Sequence, residues 1–541
     1  MKPVWMLVLI FFAALVPTLP DLSRYHGDER YYTDAAITMI QSGDYLTPRY
    51  ADGTERFKKP LLTYWILCAS YKVFGISLFS SRLPFLLAGC GVVWLTWCLG
   101  RTLFGQEGRL SGDRPSLGSF GPAGASPYLG AVVFAANVQT MTIATRSTPD
   151  IFLCLFVTAS LCGFAELLLQ DASDWRSYAL AYLGAGLACA TKGLWGLLPI
   201  LFAAAFWLWR ARHISIRRFA PPQWVLAGAA IGLSWFIVEA LKYGRASLQV
   251  FLEDQTMVQA EPVKWFLLSN VLDYGWATLR HFLPWSLLAL LGARQFKAFA
   301  SENRKALWFA LGWFALIFIV FSFGFVHRTR YLLPTYPCVA VILGAFLVSL
   351  AQQPWQRRLN MGILSLGIAA GLFMVVLGLR LDWRLVAGGV VVAMLAVIFL
   401  KNPRLMGTGI FLIAAFSIVM LCTRSLFDVN PAPWIARQLE AFAGQPIAVL
   451  GMPPVINSQV RLISGGRINP QETTEIPANG VLVVGESRRE EVSAAGYELK
   501  LAGFRTKGMR GRDIWRAWRS GKREDMFEGN RQNFYIATLL P

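Results

Sequence analysis

Apolar residues run along this chain in long blocks, separated by short polar stretches. A membrane-spanning helix needs about 20 mostly apolar residues. Blocks of that kind lie at 4–20, 82–103, 127–145, 150–169, 176–191, 193–209, 223–241, 276–293, 306–324, 331–350, 361–379, 383–400 and 406–423. They predict a mainly α, polytopic membrane protein with about thirteen spans; the pair flanking Lys192 is open to another reading. The first block has no small-residue cleavage site and leads straight into a charged segment, so it reads as a retained helix.

Two other patterns interrupt the blocks. Residues 21–81 hold two amphipathic stretches, near 31–42 and 61–74, with apolar residues at helical spacing, suited to lying along a membrane surface. After residue 424 the apolar runs shorten. Ile447–Leu450 and 481–484 read as strands and 433–442 as a helix, which predicts a small α/β domain over 425–541. The expected organisation is therefore a membrane domain, 1–424, with outer loops at 21–81 and 242–275, followed by that tail. The stretch 108–126, rich in Gly, Ser and Pro, is expected to be a loop.

Composition agrees with lipid as the main solvent. Of the 541 residues, 55% are hydrophobic and 15% charged, against about 25% charged in soluble proteins. The mean hydropathy is +0.46. The net charge of +19 is scattered between apolar blocks, which argues for a membrane and a phosphate-bearing ligand and against nucleic acid. The eight cysteines form no CxxC pair and sit mostly in apolar runs, as small core residues do.

Charge also sets orientation. Arg210, Arg212, Arg217, Arg218, Arg294, Lys297, Arg304, Lys305, Arg357, Arg358, Lys401 and Arg404 all fall on one side of the expected spans, which the positive-inside rule makes cytoplasmic. The N-terminus is then inside, and both outer loops and the tail face outward. Arg146, Lys192, Arg328, Arg330, Arg380 and Arg384 fall on the disfavoured side. A lipid phosphate or diphosphate would compensate them, with arginine gripping phosphate oxygens in pairs and lysine acting as a point charge.

The acidic residues on that side are the other candidates. Asp28 and Glu29 follow the first block, and adjacent carboxylates near a bilayer are functional candidates, as a general base or metal ligands, or else an ordinary solvated loop. Lys58 and Lys59 precede Pro60 at the start of an amphipathic stretch, a plausible phosphate contact or a pair of snorkelling side chains. Asp150 opens the fourth block, where it either favours the helix dipole or joins a site. His26, His213, His281 and His327 show no HxxxH or HExxH spacing, and there is no Walker A or GxGxxG motif, so ATP-driven transport has no support.

Six blocks in fixed order then carry a resemblance: the Asp28-Glu29 pair with SGDYLTPRY (42–50), FKKPLLTYW (57–65), ATRSTPD (144–150), ATKGLWGLLP (190–199), HFLPW (281–285) and RTRYLLPTYP (328–337). Together they resemble the GT-C membrane glycosyltransferases, and more narrowly the protein-mannosyltransferase-like branch that includes the lipid A aminoarabinose transferases. The resemblance implies a polyprenyl-phosphate-sugar donor used at the periplasmic face of a bacterial inner membrane. It implies that Asp28 matches the family's essential acidic residue, Lys59 the lysine of its FEKPP block, Asp150 the acidic residue opening the fourth span, and Arg330 and Tyr331 the RYLLP block near the carrier phosphate.

Three positions depart from the family. Lys58 stands where the branch has Glu, and DERYY replaces DExRY. The acidic–His pair of the second outer loop is replaced by Glu253-Asp254 with no histidine. That pair resembles a metal site in the family, so Asp28, Glu253 and Asp254 are only weak metal candidates and a divalent cation is the one cofactor left open.

The expected function is glycosyl transfer from a polyprenyl-phosphate donor to an envelope acceptor, lipid A phosphate first among them, with inversion. Asp28, Glu29, Lys59 and Asp150 are the catalytic candidates, and Lys58, Arg146, Lys192, Arg328, Arg330 and Tyr331 the substrate-binding ones. Membrane lipids are the other expected partners. The alternatives are transfer of a hexose or hexosamine, O-glycosylation of protein, or a flippase for the lipid-linked sugar. No related halves of a transporter are visible in the sequence.

Overall fold

The computed structural model describes residues 3–105, 122–256, 264–323, 328–350, 353–427, 430–477, 480–506, 511–527 and 531–539. His327 and most of the 108–126 stretch lie outside the described residues; the end of that stretch begins the helix Pro122–Ala135.

Among the described residues, nine helices are long and apolar enough to cross a membrane, and two shorter apolar helices, Val4–Thr18 and Ala125–Ala135, accompany them. The expected blocks all fall mainly on helical segments, and the backbone interrupts two of them. The 127–145 block breaks at Asn137, whose side chain caps the next helix, Val138–Ala144, by accepting from the Thr140 amide at 3.1 Å. The 276–293 block divides into Lys264–His281 and Trp285–Leu291 around Pro284, which has no amide hydrogen to give.

The pair around Lys192 forms one long apolar element, Trp175–Arg210. A straight helix of that length would run about 54 Å, well beyond a bilayer core of about 30 Å. The chain instead doubles back through the 3-10 turn Gly193–Leu197. Gly193 sits at φ 70°, and a Cβ on Gly196 would lie 2.1 Å from the Cys189 nitrogen. Lys192 is thereby left at a turn.

The amphipathic stretches become the helices Arg30–Ser42 and Leu62–Phe74. Their apolar faces meet each other: Tyr32 stacks on Tyr64 at 5.4 Å, and Cys68 approaches the Ala36 carbonyl at 3.6 Å. Arg30–Ser42 also carries the tail. Ser458 donates to Asp34 Oδ1 at 2.9 Å, and Arg461 reaches the Asp34 carbonyl at 3.2 Å and Thr38 at 2.9 Å. Burial pushes the Asp34 carboxyl up to about 6.

The tail is built on a five-stranded sheet in the order β2-β1-β3-β5-β4. The strands are β1 (Ile447–Leu450), β2 (Pro470–Glu472), β3 (Val481–Gly485), β4 (Tyr497–Thr506) and β5 (Arg531–Leu539). β1 pairs in parallel with β2 and β3, while β5 runs antiparallel to β3 and β4. Every residue of β3 is buried, which is why it reads as a continuous apolar run. The expected helix at 433–442 is Ala432–Leu439 with a closing 3-10 turn.

Candidate active site

A cavity of about 490 Å³ opens at the end of the helical body that carries the tail. Its charged lining counts six basic side chains (Arg56, Lys58, Lys59, Lys192, Arg328, Arg330) and four acidic ones (Asp28, Asp150, Glu253, Asp254). Asp28 comes from the turn before Arg30–Ser42, and its amide donates to His26 Nδ1 at 3.1 Å. Asp150 is the first residue of the helix Asp150–Leu169. Lys192 is the last of Gly184–Lys192, and Arg330 lies in the 3-10 turn Thr329–Thr335.

These side chains form an alternating chain of charge. Arg330 Nη2 lies 2.5 Å from Asp28 Oδ2, and its Nε lies 3.6 Å from Asp150 Oδ2. Lys192 Nζ is 2.6 Å from the other Asp150 oxygen and 4.6 Å from the centre of the Tyr331 ring. Arg328 approaches Asp28 at 4.0 Å. On the facing wall Lys59 Nζ meets Asp254 Oδ2 at 2.5 Å. Lys58 is exposed at the rim and has no ion pair among the described residues.

Electrostatics follow from this wiring. Burial pushes the Asp28 carboxyl up, but the Arg330 guanidinium, its hydrogen bond and the neighbouring charges outweigh that and hold it below the usual carboxylate range. Asp28 is therefore an anion at neutral pH and a weak base. Burial draws the Lys59 ammonium below its ordinary value despite the opposing pull of Asp254.

The whole architecture has a solved counterpart. The fold matches ArnT from Cupriavidus metallidurans bound to undecaprenyl phosphate with a TM-score of 0.70, covering 98% of each chain at 18% identity. The chain has the GT-C fold.

Among proteins of that fold it is similar to the aminoarabinose transferases. An undecaprenyl phosphate-α-4-amino-4-deoxy-L-arabinose arabinosyl transferase of Edwardsiella ictaluri is 25% identical over 390 residues, 70% of this chain and 65% of that protein. The match thus spans just under two thirds of that relative's length. A counterpart in Yersinia pestis is 26% identical over 71% of this chain and 67% of its own length. An uncharacterized protein of Aquifex aeolicus is 28% identical over 407 residues, 73% of each chain. No family model matches the chain.

Within this GT-C cavity the structure gathers Asp28, Lys58, Lys59, Asp150, Lys192, Glu253, Asp254, Arg328, Arg330 and Tyr331. It does not bring Glu29 or Arg146 to the wall, which corrects the expectation for both. Glu29 is fully buried and receives Arg82 in two prongs, each 2.9 Å, together with the amides of His26 at 2.8 Å and Ser147 at 3.0 Å. Its oxygens are committed to tying the Asp28 turn to the Asp150 turn. Arg146, in the latter turn, faces that buried pair electrostatically.

Among the lining residues that escape a reading by sequence are Arg56, Tyr31, Tyr32 and Trp195. Arg56 is buried beneath Tyr31, Tyr32 and Tyr50 and donates to the Tyr64 hydroxyl at 2.8 Å. The available signal was its place just ahead of the FKKP block. The two tyrosines stand directly after the Asp28-Glu29-Arg30 run.

Among the described residues no three His, Cys, Asp or Glu side chains converge as a metal site would require. Asp28, Asp150 and Asp254 each face a guanidinium or ammonium instead. A divalent cation at these three carboxylates would compete with the basic partners already in place.

Proposed function

We propose that this polyprenyl-phosphate-dependent glycosyltransferase of GT-C fold moves its sugar onto an envelope acceptor, lipid A phosphate, at the periplasmic face of a bacterial inner membrane and with inversion. The single observation that carries the reading is the excess of cations around Asp28 in the cavity.

The chemistry is an in-line displacement. An acceptor oxygen attacks the anomeric carbon from the face opposite the carrier. The bond from that carbon to the carrier oxygen breaks, and its electron pair leaves with polyprenyl phosphate. Such a leaving group needs positive charge more than a proton. Lys58 at the rim and Arg328, half exposed beside Asp28, are the cations most open to a phosphate. Arg330 and Lys192 hold the carboxylates that orient the sugar.

Acceptor chemistry follows from Asp28. A hydroxyl acceptor needs a base, and a carboxylate held down by Arg330 accepts a proton poorly. A phosphate acceptor is already ionised and needs none. This favours lipid A phosphate over hexose or hexosamine transfer to a hydroxyl, or O-glycosylation of protein. The periplasmic assignment rests on the basic loops at the opposite end, where Arg357 and Arg404 line a separate cavity.

The test mixes purified protein with polyprenyl-phosphate aminoarabinose and lipid A. Released polyprenyl phosphate with a matching mass gain on lipid A supports the proposal, and the anomeric configuration of the product reports inversion. Movement of intact donor between leaflets, without cleavage, would establish a flippase instead.

A further inference from the structure

Arg380 and Arg384 belong to the cations on the disfavoured side, yet the catalytic cavity does not use them. They line a second cavity of about 790 Å³ at the turn between Pro354–Leu381 and Trp383–Leu400, together with Arg523 of the tail. We propose that this cavity holds the phosphate headgroup of an anionic phospholipid of the outer leaflet, and that this lipid fastens the tail to the membrane.

Three observations converge. The first is charge: three guanidiniums line the cavity against one carboxylate, Asp382. Neither Arg384 nor Arg523 has an ion pair among the described residues, and the Arg523 Nε is buried with no acceptor. A forked guanidinium is suited to grip phosphate oxygens.

The second is position. The turn lies where two apolar helices end, and the ends of spanning helices meet the headgroup region. Trp383 is 72% exposed there, as is Leu379, so the cavity opens onto a surface for acyl chains. Tryptophan at that depth marks a membrane interface.

The third is the tail's own contact. Its helix Gly511–Ser520 turns Ile514 and Ala517 toward Met374 and Leu385 of the two membrane helices. Trp518 Nε1 donates to the Val376 carbonyl at 3.3 Å, and Arg380 Nη1 donates to the Trp518 and Arg519 carbonyls at 3.3 and 3.4 Å. Trp515 stacks on Trp518 and is itself 55% exposed. Arg512, Arg516 and Arg519 extend the basic surface along a helix of interfacial character. A free phosphate would gain nothing from the apolar opening or the exposed tryptophans; a lipid uses both.

The test is photocrosslinking in the full chain. Benzoylphenylalanine replaces Leu379, and the protein is placed in nanodiscs of phosphatidylcholine containing a minority of phosphatidylglycerol. The expected result is adducts enriched in phosphatidylglycerol roughly tenfold over its share of the bilayer. R384Q/R523Q should bring the adducts down to that share, and R384K/R523K should keep part of the enrichment. Arg380 is left intact because it caps the tail helix. Adducts in simple proportion to the bilayer, enrichment untouched by R384Q/R523Q, or displacement by millimolar glycerol phosphate would each overturn the proposal, the last by pointing to a soluble anion.

Discussion

Glu29 and Arg82 form a two-pronged ion pair with both side chains sealed from solvent, at 0% and 1% exposure. The pair lies beneath the cavity and stitches three segments. Arg82 Nη1 also donates to the carbonyls of Leu19 and Asp21 at 3.0 and 2.8 Å, while Glu29 holds the amide of Ser147. Asp28 and Asp150 therefore take their separation from a buried clamp that is not part of the cavity wall.

Glu29→Gln should cost about 3 to 5 kcal/mol of stability, because Arg82 is left buried without its countercharge. Thermal denaturation in detergent measures this. A variant that melts like the wild type would show the clamp to be dispensable.

Asp28→Asn should change stability little, since its side chain is 26% exposed, yet turnover should fall by about 10²- to 10⁴-fold. Release of polyprenyl phosphate under saturating donor is the measurement. Turnover within a few-fold of wild type would remove Asp28 from the mechanism.

Lys58 and Lys59 should separate kinetically. Lys58 is exposed and unpaired among the described residues, so Lys58→Ala should raise the donor KM by roughly ten- to a hundredfold, the worth of one charge-assisted hydrogen bond. Lys59 is bound to Asp254, so Lys59→Ala should also strip a carboxylate and lower kcat. Equal KM effects with unchanged kcat in both variants would contradict this division.

The seat of the tail should depend on pH through Asp34. Its carboxyl is raised from 3.8 to about 6, so the folded state binds the proton more tightly than the unfolded one. Stability is then fully present below pH 3.8 and falls as pH rises to about 6, by about 3 kcal/mol in all. Asp34→Asn, which still accepts from Ser458, should remove that fall. Melting profiles of the two proteins at pH 4.5 and 7.5 compare them; parallel profiles would refute the role of Asp34.

The sequence by itself determined the membrane character, the helical body, the amphipathic pair near 31–42 and 61–74 and the α/β tail. Each follows from local periodicity and from runs of apolar residues that only lipid or a buried strand can accept. It also determined most of the charged wall, since Asp28, Lys59, Asp150, Lys192 and Arg330 stand out as polar residues at the ends of apolar blocks. Only the tertiary structure decided their partners. Glu29 and Asp28 are neighbours in the chain, yet the helix start at Arg30 turns one carboxylate inward to Arg82 and leaves the other beside Arg330. Arg330 and Arg380 looked alike as misplaced cations, but they lie in two separate cavities. Breaks inside the expected blocks at Asn137 and Pro284 were hidden for the same reason: hydropathy averages over a window, whereas a cap or a missing amide acts at one residue.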